Sequence, residues 1–205
     1  MTILEKIKET REKSKKRNFN QRFDLVVNLK ELDLRKAESK IDELFLLPKG
    51  SGKDASVTLF SDNIKNIAGC TIINSSEMEK LSKDKKAVKH LASQSNFFFA
   101  EPKLMVVVGK NLGKFLAPKG KMPKPIVGNI ENGIEDAKKS MKILVGKHLI
   151  IHMVVGSEKM DDKDLEENIT SVINFLKAKL PKGRSNIKNI YLKLTMGQPV
   201  KLEVG

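Results

Sequence analysis

The sequence predicts an α/β protein of two domains, the first of which is built from both ends of the chain and interrupted by the second. Its 205 residues exceed one typical domain and fall short of three. Short apolar runs alternate with amphipathic stretches only in the middle of the chain. The early and late segments each hold too few strands for a core of their own. We therefore predict a first domain at 1–54 and 144–205 and an inserted domain at 55–143.

The N-terminal segment predicts one helix followed by two strands. Thr2 and Glu5 have the spacing of a capping box, in which each side chain satisfies a free backbone amide, and the helix is expected to end near Lys16. Apolar and β-branched residues predict strands at 23–29 and 41–47. The proline- and glycine-rich stretch after the second strand predicts a linker.

The middle segment predicts a small parallel sheet with helices between its strands. Short apolar runs indicate strands at 57–60, 71–73 and 96–100. The clearest helix is expected at 77–91, because its apolar residues fall on one face and two serines precede it as candidate caps. Strands that alternate with helices in this way are typical of a parallel α/β domain.

The C-terminal segment predicts a strand, a long helix and a closing hairpin. The strand is expected at 148–155 and the helix at 161–180, where acidic residues favour the positive N-terminal end and a proline and a glycine follow the last turn. Strands at 190–194 and 200–204 flank Met196-Gly197-Gln198, which is typical of a hairpin.

The charge of the chain indicates a polyanionic partner. Thirty-nine lysines and arginines against 25 acids give a net charge of +14. Residues 1–22 hold eight bases and three acids, 103–124 hold six lysines and no acid, and 177–201 hold seven bases and no acid. Nucleic acid and an anionic membrane surface both attract such clusters. A double-helical target is favoured, because aromatic residues, which stack on exposed bases, make up only 5% of the chain.

Two stretches rich in lysine and glycine fail as nucleotide-binding motifs. The first has Leu47 where a P-loop has its first glycine, and Asp54 where it has serine or threonine. In the second, Gly109, Gly113 and Gly120 do not have the G-x-G-x-x-G spacing that lets a backbone approach a pyrophosphate. A nucleotide-using α/β enzyme is therefore a weak alternative.

Other classes of site also lack support in the sequence. His148 and His152 share one face of a strand and His90 lies on a helix, but no further metal ligands are evident, so all three are interpreted as surface or packing residues. The single cysteine, Cys70, cannot form an internal disulfide. Without a signal-peptide pattern, a membrane-length apolar run or a basic helix with a broad apolar face, we expect a cytoplasmic, non-enzymatic protein without cofactor, metal or membrane partner.

Three stretches combine polar or basic groups in a way that suits RNA, although each alone is also consistent with an ordinary loop or turn. The stretch 112–125 packs lysines among glycines and prolines, which suits phosphate contacts. Its candidate residues are Lys114, Lys119, Lys121 and Lys124. Residues 18–23 place amides, a cation and aromatic rings before a strand. At 195–197 a glycine lets another backbone come close, while a hydroxyl and a methionine can meet a sugar edge.

Together these stretches resemble the L-one family, the family of the first protein of the large ribosomal subunit, and the likeness is to archaeal members. The resemblance covers nearly the whole chain and rests on NFNQRFDLVVNL at 18–29, LPKGSGK at 47–53, PKLMVVVGKNLGKFLAPKGKMPKP at 102–125 and IKNIYLKLTMGQPVKLE at 187–203. It implies a discontinuous first domain with a Rossmann-like domain inserted. It also implies a helix at 104–116, where the valine run by itself indicates a strand.

The resemblance further implies a structural protein of the mobile stalk beside the tRNA exit site. Its first domain would bind a helical junction of large-subunit rRNA, assist release of deacylated tRNA, and repress translation by binding a similar structure in its own mRNA. The free protein is expected to be a monomer. The residues that match the family's RNA-binding motifs are Phe19, Thr195, Met196 and Gly197, with Gln21, Arg22 and Ser185 as neighbours.

Two positions depart from the family pattern. Position 22 is arginine where relatives usually have a small hydroxyl residue that touches RNA, so we expect that contact to be lost or replaced by one to phosphate. Position 117 is alanine where relatives usually have glycine, which makes the backbone conformation of that loop an open question.

Overall fold

A computed structural model describes residues 2–36, 41–64, 67, 69–126, 130–145 and 148–203. The chain divides into two compact units, one made of Met1–Lys53 with Lys139–Gly205 and the other of Asp54–Lys138. The second crossing between the units lies five residues before the predicted boundary at 143, because strand Ser140–Leu144 pairs with strand Asp42–Leu46 of the first unit.

The described residues of the first unit form two α-helices and two antiparallel sheets. Its elements are α1 (Ile3–Glu12), β1 (Arg22–Leu29), β2 (Asp42–Leu46), β7 (Ser140–Leu144), β8 (Ile150–Ser157), α6 (Asp162–Lys179), β9 (Ile187–Leu194) and β10 (Val200–Leu202). The larger sheet has the order β10-β9-β1-β8, and β2 pairs with β7. Helices α1 and α6 cover one face of the larger sheet and build the core with it.

Alternation along β1 separates the two faces of this sheet. Leu25, Val27 and the ring of Phe23 are buried in the core, whereas Asp24 and Val26 lie on the opposite face and are partly exposed. The sheet therefore has one covered face and one open face, as antiparallel sheets commonly do.

The second unit is a parallel α/β layer structure. Its elements are β3 (Val57–Phe60), β4 (Cys70–Ile73), α2 (Ser75–Lys83), α3 (Lys85–Gln94), β5 (Phe97–Ala100), α4 (Met105–Leu116), β6 (Lys124–Pro125) and α5 (Ile130–Lys139), the last residue of which belongs to the first unit. The strand order is β4-β3-β5-β6, with every pair parallel. Phe60 and Phe98 stack at 6.1 Å between ring centroids in its core.

Most predicted elements are confirmed, and two helices differ from prediction. The capping box of α1 is present, but the helix ends at Glu12, short of Lys16. The helix expected at 77–91 is two helices, because Asp84 takes an extended conformation and its carboxylate caps α3 by accepting from the amides of Lys86 and Ala87 at 2.8 and 3.2 Å. The helix that the resemblance implied at 104–116 is confirmed as α4.

Hydropathy gives one further finding. No helix in the described part of the chain is both long and apolar enough to cross a membrane.

Candidate nucleic-acid interface

The loop before β1 and the turn after β9 are joined by hydrogen bonds at one end of the larger sheet. The amide of Thr195 donates to the carbonyl of Arg22 at 3.0 Å. The Thr195 hydroxyl accepts from the Arg22 amide and donates to the Arg22 carbonyl, both at 3.2 Å. The sequence-predicted residues Thr195 and Arg22 thus lie together, and their geometry is set by backbone pairing.

The buried side chain of Gln21 connects the loop before β1 to the turn after β9. Its side chain is 1% exposed; Nε2 donates to the carbonyl of Lys15 at 3.2 Å, and Oε1 accepts from the amide of Met196 at 3.4 Å. The predicted RNA contact through the Gln21 side chain is wrong, because that side chain is buried and engaged at both ends. Gln21 instead holds the turn and the loop at a fixed separation.

The glycine in the turn is required by a close approach. A Cβ on Gly197 would overlap the Ser14 side chain and lie 3.3 Å from the Cβ atoms of both Ser14 and Leu194. The Gly197 amide also donates to the Leu194 carbonyl at 2.8 Å. A side chain here would force the Ser14 hydroxyl out of its hydrogen bond to the Thr10 carbonyl, or shift the turn away from the segment that follows α1.

Two apolar side chains stand out from this supported loop and turn. Phe19 is 52% exposed and Met196 is 63% exposed. The exposed cations around Phe19 in the chain are Lys15, Lys16, Arg17 and Arg22. Two acids in this part of the unit are engaged within the protein: Lys13 and Lys6, both hydrogen-bonded to Glu9, hold the pKa of that carboxyl below its ordinary value, and the Glu158 carboxylate accepts from the Gln21 amide at 3.2 Å. The surface is therefore positively charged around an apolar centre.

Arg11 fixes α1 against the segment before α6, a role that the sequence analysis missed. Its Nη1 and Nη2 donate to the carbonyls of Glu158 and Met160 at 2.6 and 2.7 Å, and its Nε donates to Asp162 Oδ1 at 2.9 Å. The guanidinium also lies 5.1 Å from the centroid of the Phe23 ring. No local motif marks this arginine, since its partners are about 150 residues away in sequence.

Ser185 does not belong to this surface. It lies in a short 3₁₀ turn that precedes β9, whereas Thr195 follows the same strand. Eight strand residues separate the two ends by roughly 25 Å. The structure therefore places this sequence-predicted contact at the opposite end of β9.

The four candidate lysines of the second unit differ in their contacts: two are bound within the protein and two are described only by their exposure. Lys121 Nζ donates to the carbonyls of Ala92 and Ser95 at 2.9 and 2.7 Å, and Lys119 Nζ reaches Ser93 Oγ at 3.3 Å. Both cations therefore lie at the negative C-terminal end of α3, where they stabilise the helix. Burial, followed by the charge of Lys119, lowers the pKa of Lys121. Lys114 is exposed and Lys124 is half-buried.

Alanine at position 117 fits its loop. Its φ and ψ are −60° and −46°, an ordinary right-handed helical conformation at the end of α4. The left-handed residue of the loop is Gly120, with φ of 63°. The departure from the family pattern at 117 therefore causes no backbone strain.

The positions where a nucleotide enzyme would hold its ligand are occupied by internal hydrogen bonds. In doubly wound sheets ligands bind at the carboxyl ends of the strands where the strand order reverses, here β3 and β5. Buried Ser61 donates to the Glu101 carboxylate and accepts from the Ile64 amide at 3.1 Å, and Asn63 Nδ2 donates to Glu101 Oε2 at 3.1 Å.

The other rejected motif, the glycine-rich stretch after β2, is fastened to α6. Buried Asn168 accepts from the Lys49 amide at 3.0 Å and donates to the carbonyls of Gly50 and Val155, both at 2.9 Å. Asn168 was missed in the sequence, although a polar residue beside the apolar stripe of a helix is the available signal.

Among the described residues no group of three or more histidine, cysteine or acidic side chains could hold a metal ion. Burial raises the pKa of the Cys70 thiol, which disfavours its thiolate.

Comparison with known proteins identifies the family. The model of the Ribosomal protein L1p/L10e family matches residues 9–198. The chain belongs to this family. Three relatives named "Large ribosomal subunit protein uL1" are similar to it: those of Methanothermococcus thermolithotrophicus (40% identical, covering 98% of this chain and 97% of the relative), Methanothermobacter thermautotrophicus (38%, 98% and 98%) and Pyrococcus abyssi (38%, 98% and 95%). Members of the family are structural ribosomal proteins, so the chain is not an enzyme.

Proposed function

We propose that the protein is a cytoplasmic component of the large ribosomal subunit and binds a helical junction of its rRNA in the mobile stalk beside the tRNA exit site. The observation that carries this proposal is the pair of exposed apolar side chains, Phe19 and Met196, on a loop and turn that hydrogen bonds of the buried Gln21 side chain hold together. The printed names of the relatives support the large subunit as the assembly.

Binding would proceed without covalent chemistry. The cations near Phe19 displace counterions from the RNA backbone, which supplies affinity and makes it depend on salt. The shallow minor groove of an A-form helix can receive Phe19 and Met196 by shape. The Thr195 hydroxyl has used its proton and one lone pair on Arg22, so one lone pair remains to accept a hydrogen bond from a ribose 2′-hydroxyl.

Preorganisation would make this small surface effective. Gln21, Arg11 and the close packing at Gly197 order the loop and turn before RNA arrives, so less conformational entropy is lost on binding. Arg22 is exposed, and its guanidinium can reach a phosphate in place of the hydroxyl contact usual in relatives.

We propose two further partners of the protein, its own mRNA and the tRNA in the exit site. We propose that the protein represses translation of its own mRNA by binding a similar RNA structure with the same surface. Because one surface cannot hold both RNAs at once, free rRNA would compete with the mRNA and relieve the repression. We also propose that, within the stalk, it assists release of deacylated tRNA from the exit site. Lys114, on the second unit, is available for a secondary phosphate contact.

A binding titration tests the central proposal. The protein is titrated in mobility-shift assays against a stalk rRNA fragment and a scrambled duplex of equal length, at several salt concentrations. We expect a preference for the stalk fragment that persists at high salt. Equal and steeply salt-dependent binding to both RNAs would mean that only the net charge acts, and the proposal would be rejected.

A further inference from the structure

The open face of the larger sheet in the first unit carries a cleft that no role described so far explains. Its volume is about 380 Å³, within the range of small-ligand sites. The lining includes polar groups and apolar walls from three neighbouring strands of the sheet and from β7. The principal lining residues are Asp24, Val26, Met141, His152, Val154 and Lys193.

Strand register places the chemistry of this cleft on one side of the sheet. Asp24 of β1 lies between Lys193 of β9 and Val154 of β8. Two residues further along β1, on the same face of the sheet, Val26 lies between Tyr191 of β9 and His152 of β8. Because alternate residues of a strand share a face, the carboxylate, the ammonium group and the imidazole all belong to the face that α1 and α6 leave open.

The carboxylate of Asp24 has no hydrogen-bond or ion-pair partner among the described residues, although it is half-buried. Burial raises its pKa, and the charges of Lys193, Arg22 and His152 act in the opposite direction without reaching contact distance. A partly desolvated carboxylate without a donor is unfavourable. This group is therefore suited to receive a hydrogen-bond donor from outside the protein.

The cleft continues the surface proposed above for RNA. Arg22, whose backbone pairs with Thr195, precedes Asp24 by two residues on β1, which is about 7 Å along a strand. A carboxylate at this place repels phosphate groups, so a backbone contact does not account for it. Carboxylates in nucleic-acid interfaces accept hydrogen bonds from base amino groups instead.

We propose that this cleft takes one unpaired nucleobase of the RNA that the protein binds, with Asp24 accepting a hydrogen bond from the exocyclic amino group of the base. Val26 and Val154 supply apolar walls against the ring, and Lys193 neutralises the flanking phosphate or contacts a base carbonyl. Adenine, cytosine and guanine carry the required amino group and uracil does not. This inference rests on the proposed function, because the RNA is the one held at Phe19 and Met196.

The test compares Asp24→Asn and Asp24→Ala with wild type in mobility-shift titrations against the stalk rRNA fragment. A purely electrostatic account predicts that loss of a negative charge tightens RNA binding. Base recognition predicts the opposite sign: a weakening of about tenfold for Asp24→Ala, which removes the acceptor, and a smaller weakening for Asp24→Asn, whose amide oxygen can still accept from the base amino group. Glu203→Gln, which removes an exposed acid at the end of β10, is the matched control and is expected to leave affinity unchanged or slightly tighter.

A second series replaces each unpaired nucleotide of the fragment in turn with an abasic one. At one position we expect wild type to lose about tenfold more affinity than Asp24→Ala loses, which is the signature of a coupled pair. At that position uracil, which keeps the ring but lacks the amino group, should weaken binding by wild type and leave binding by Asp24→Ala unchanged. Thermal unfolding of both variants verifies that they are folded.

The outcomes separate this inference from the proposed function. Unchanged or tighter binding by Asp24→Ala, or an equal loss for wild type and Asp24→Ala at every abasic position, would overturn the base site while leaving junction binding in place. Failure of wild type to prefer the stalk fragment over the scrambled duplex would reject the proposed function, and the base site with it.

Discussion

Replacing Met196 with aspartate tests the proposed interface at its most exposed point. Full burial of a methionine side chain contributes about 1.5–3 kcal/mol. Met196 is 63% exposed, so covering this exposed part of the side chain against RNA would contribute about two-thirds of that range, ~1–2 kcal/mol. The new carboxylate would also repel phosphate groups, and we expect a total loss above ~2 kcal/mol, or roughly 30-fold in Kd for the stalk fragment.

The same substitution should leave the fold intact. The Met196 side chain points into solvent and its hydrogen bond to Gln21 uses the backbone amide, so the free energy of unfolding should change by no more than about 0.5 kcal/mol. Met122→Asp is the matched control, since Met122 is 45% exposed on the second unit. Mobility-shift titration gives the affinity and thermal unfolding gives the stability. An unchanged Kd for Met196→Asp, or an equal loss for Met122→Asp, would refute the assignment of this surface.

Four further predictions concern two residues that support the turn, a lysine of the second unit, and Asp24. Gly197→Ala should lower the free energy of unfolding by about 1–3 kcal/mol through overlap with Ser14, and weaken RNA binding with it; unchanged thermal unfolding would contradict the packing. Gln21→Leu leaves two backbone groups without partners and should cost about 1–3 kcal/mol in urea unfolding, which a neutral result would disprove. Lys121→Met should lower stability by about 1 kcal/mol without changing affinity for the stalk fragment; a large loss of affinity would assign Lys121 to RNA instead. Burial raises the pKa of Asp24 above 3.8, so its favourable contribution to folding is full below that pH and is lost as pH rises through the folded pKa; Asp24→Asn should therefore be more stable than wild type at pH 7 and lose that advantage near pH 3, as measured by thermal unfolding at both pH values.

The strands could be predicted from sequence because apolar patterns mark them directly. β1, β3 and β5 lie within a residue of their expected bounds. The break between α2 and α3 could not be predicted in this way, because the apolar stripe from Met78 to Leu91 stays in phase across Asp84. A capping carboxylate and a solvent-facing polar residue are indistinguishable in a pattern of hydrophobicity.

The candidate site was predictable only in its exposed members. Phe19 and Met196 were predicted because they match the RNA-binding motifs of the family that the chain resembles, and both are exposed. Gln21 and Asn168 have the same composition signal as solvated polar residues, yet both are buried and bond to backbone groups far away in sequence. Their roles depend on tertiary proximity, which spacing along the chain does not encode.

The proposed interface separates support from contact, and this division has a measurable consequence. Gln21, Gly197 and Arg11 are engaged within the protein, whereas Phe19 and Met196 expose about half or more of their side chains. Variants of the first group should lower stability and affinity together, because the turn moves when its support is lost. Variants of the second group should lower affinity alone.

Asp24 is the exception, since its ionised carboxylate costs stability at neutral pH and no partner among the described residues offsets that cost. A stability gain with a loss of RNA affinity in Asp24→Asn would therefore identify a residue kept for recognition, whereas a gain in both would reduce it to an unfavourable charge.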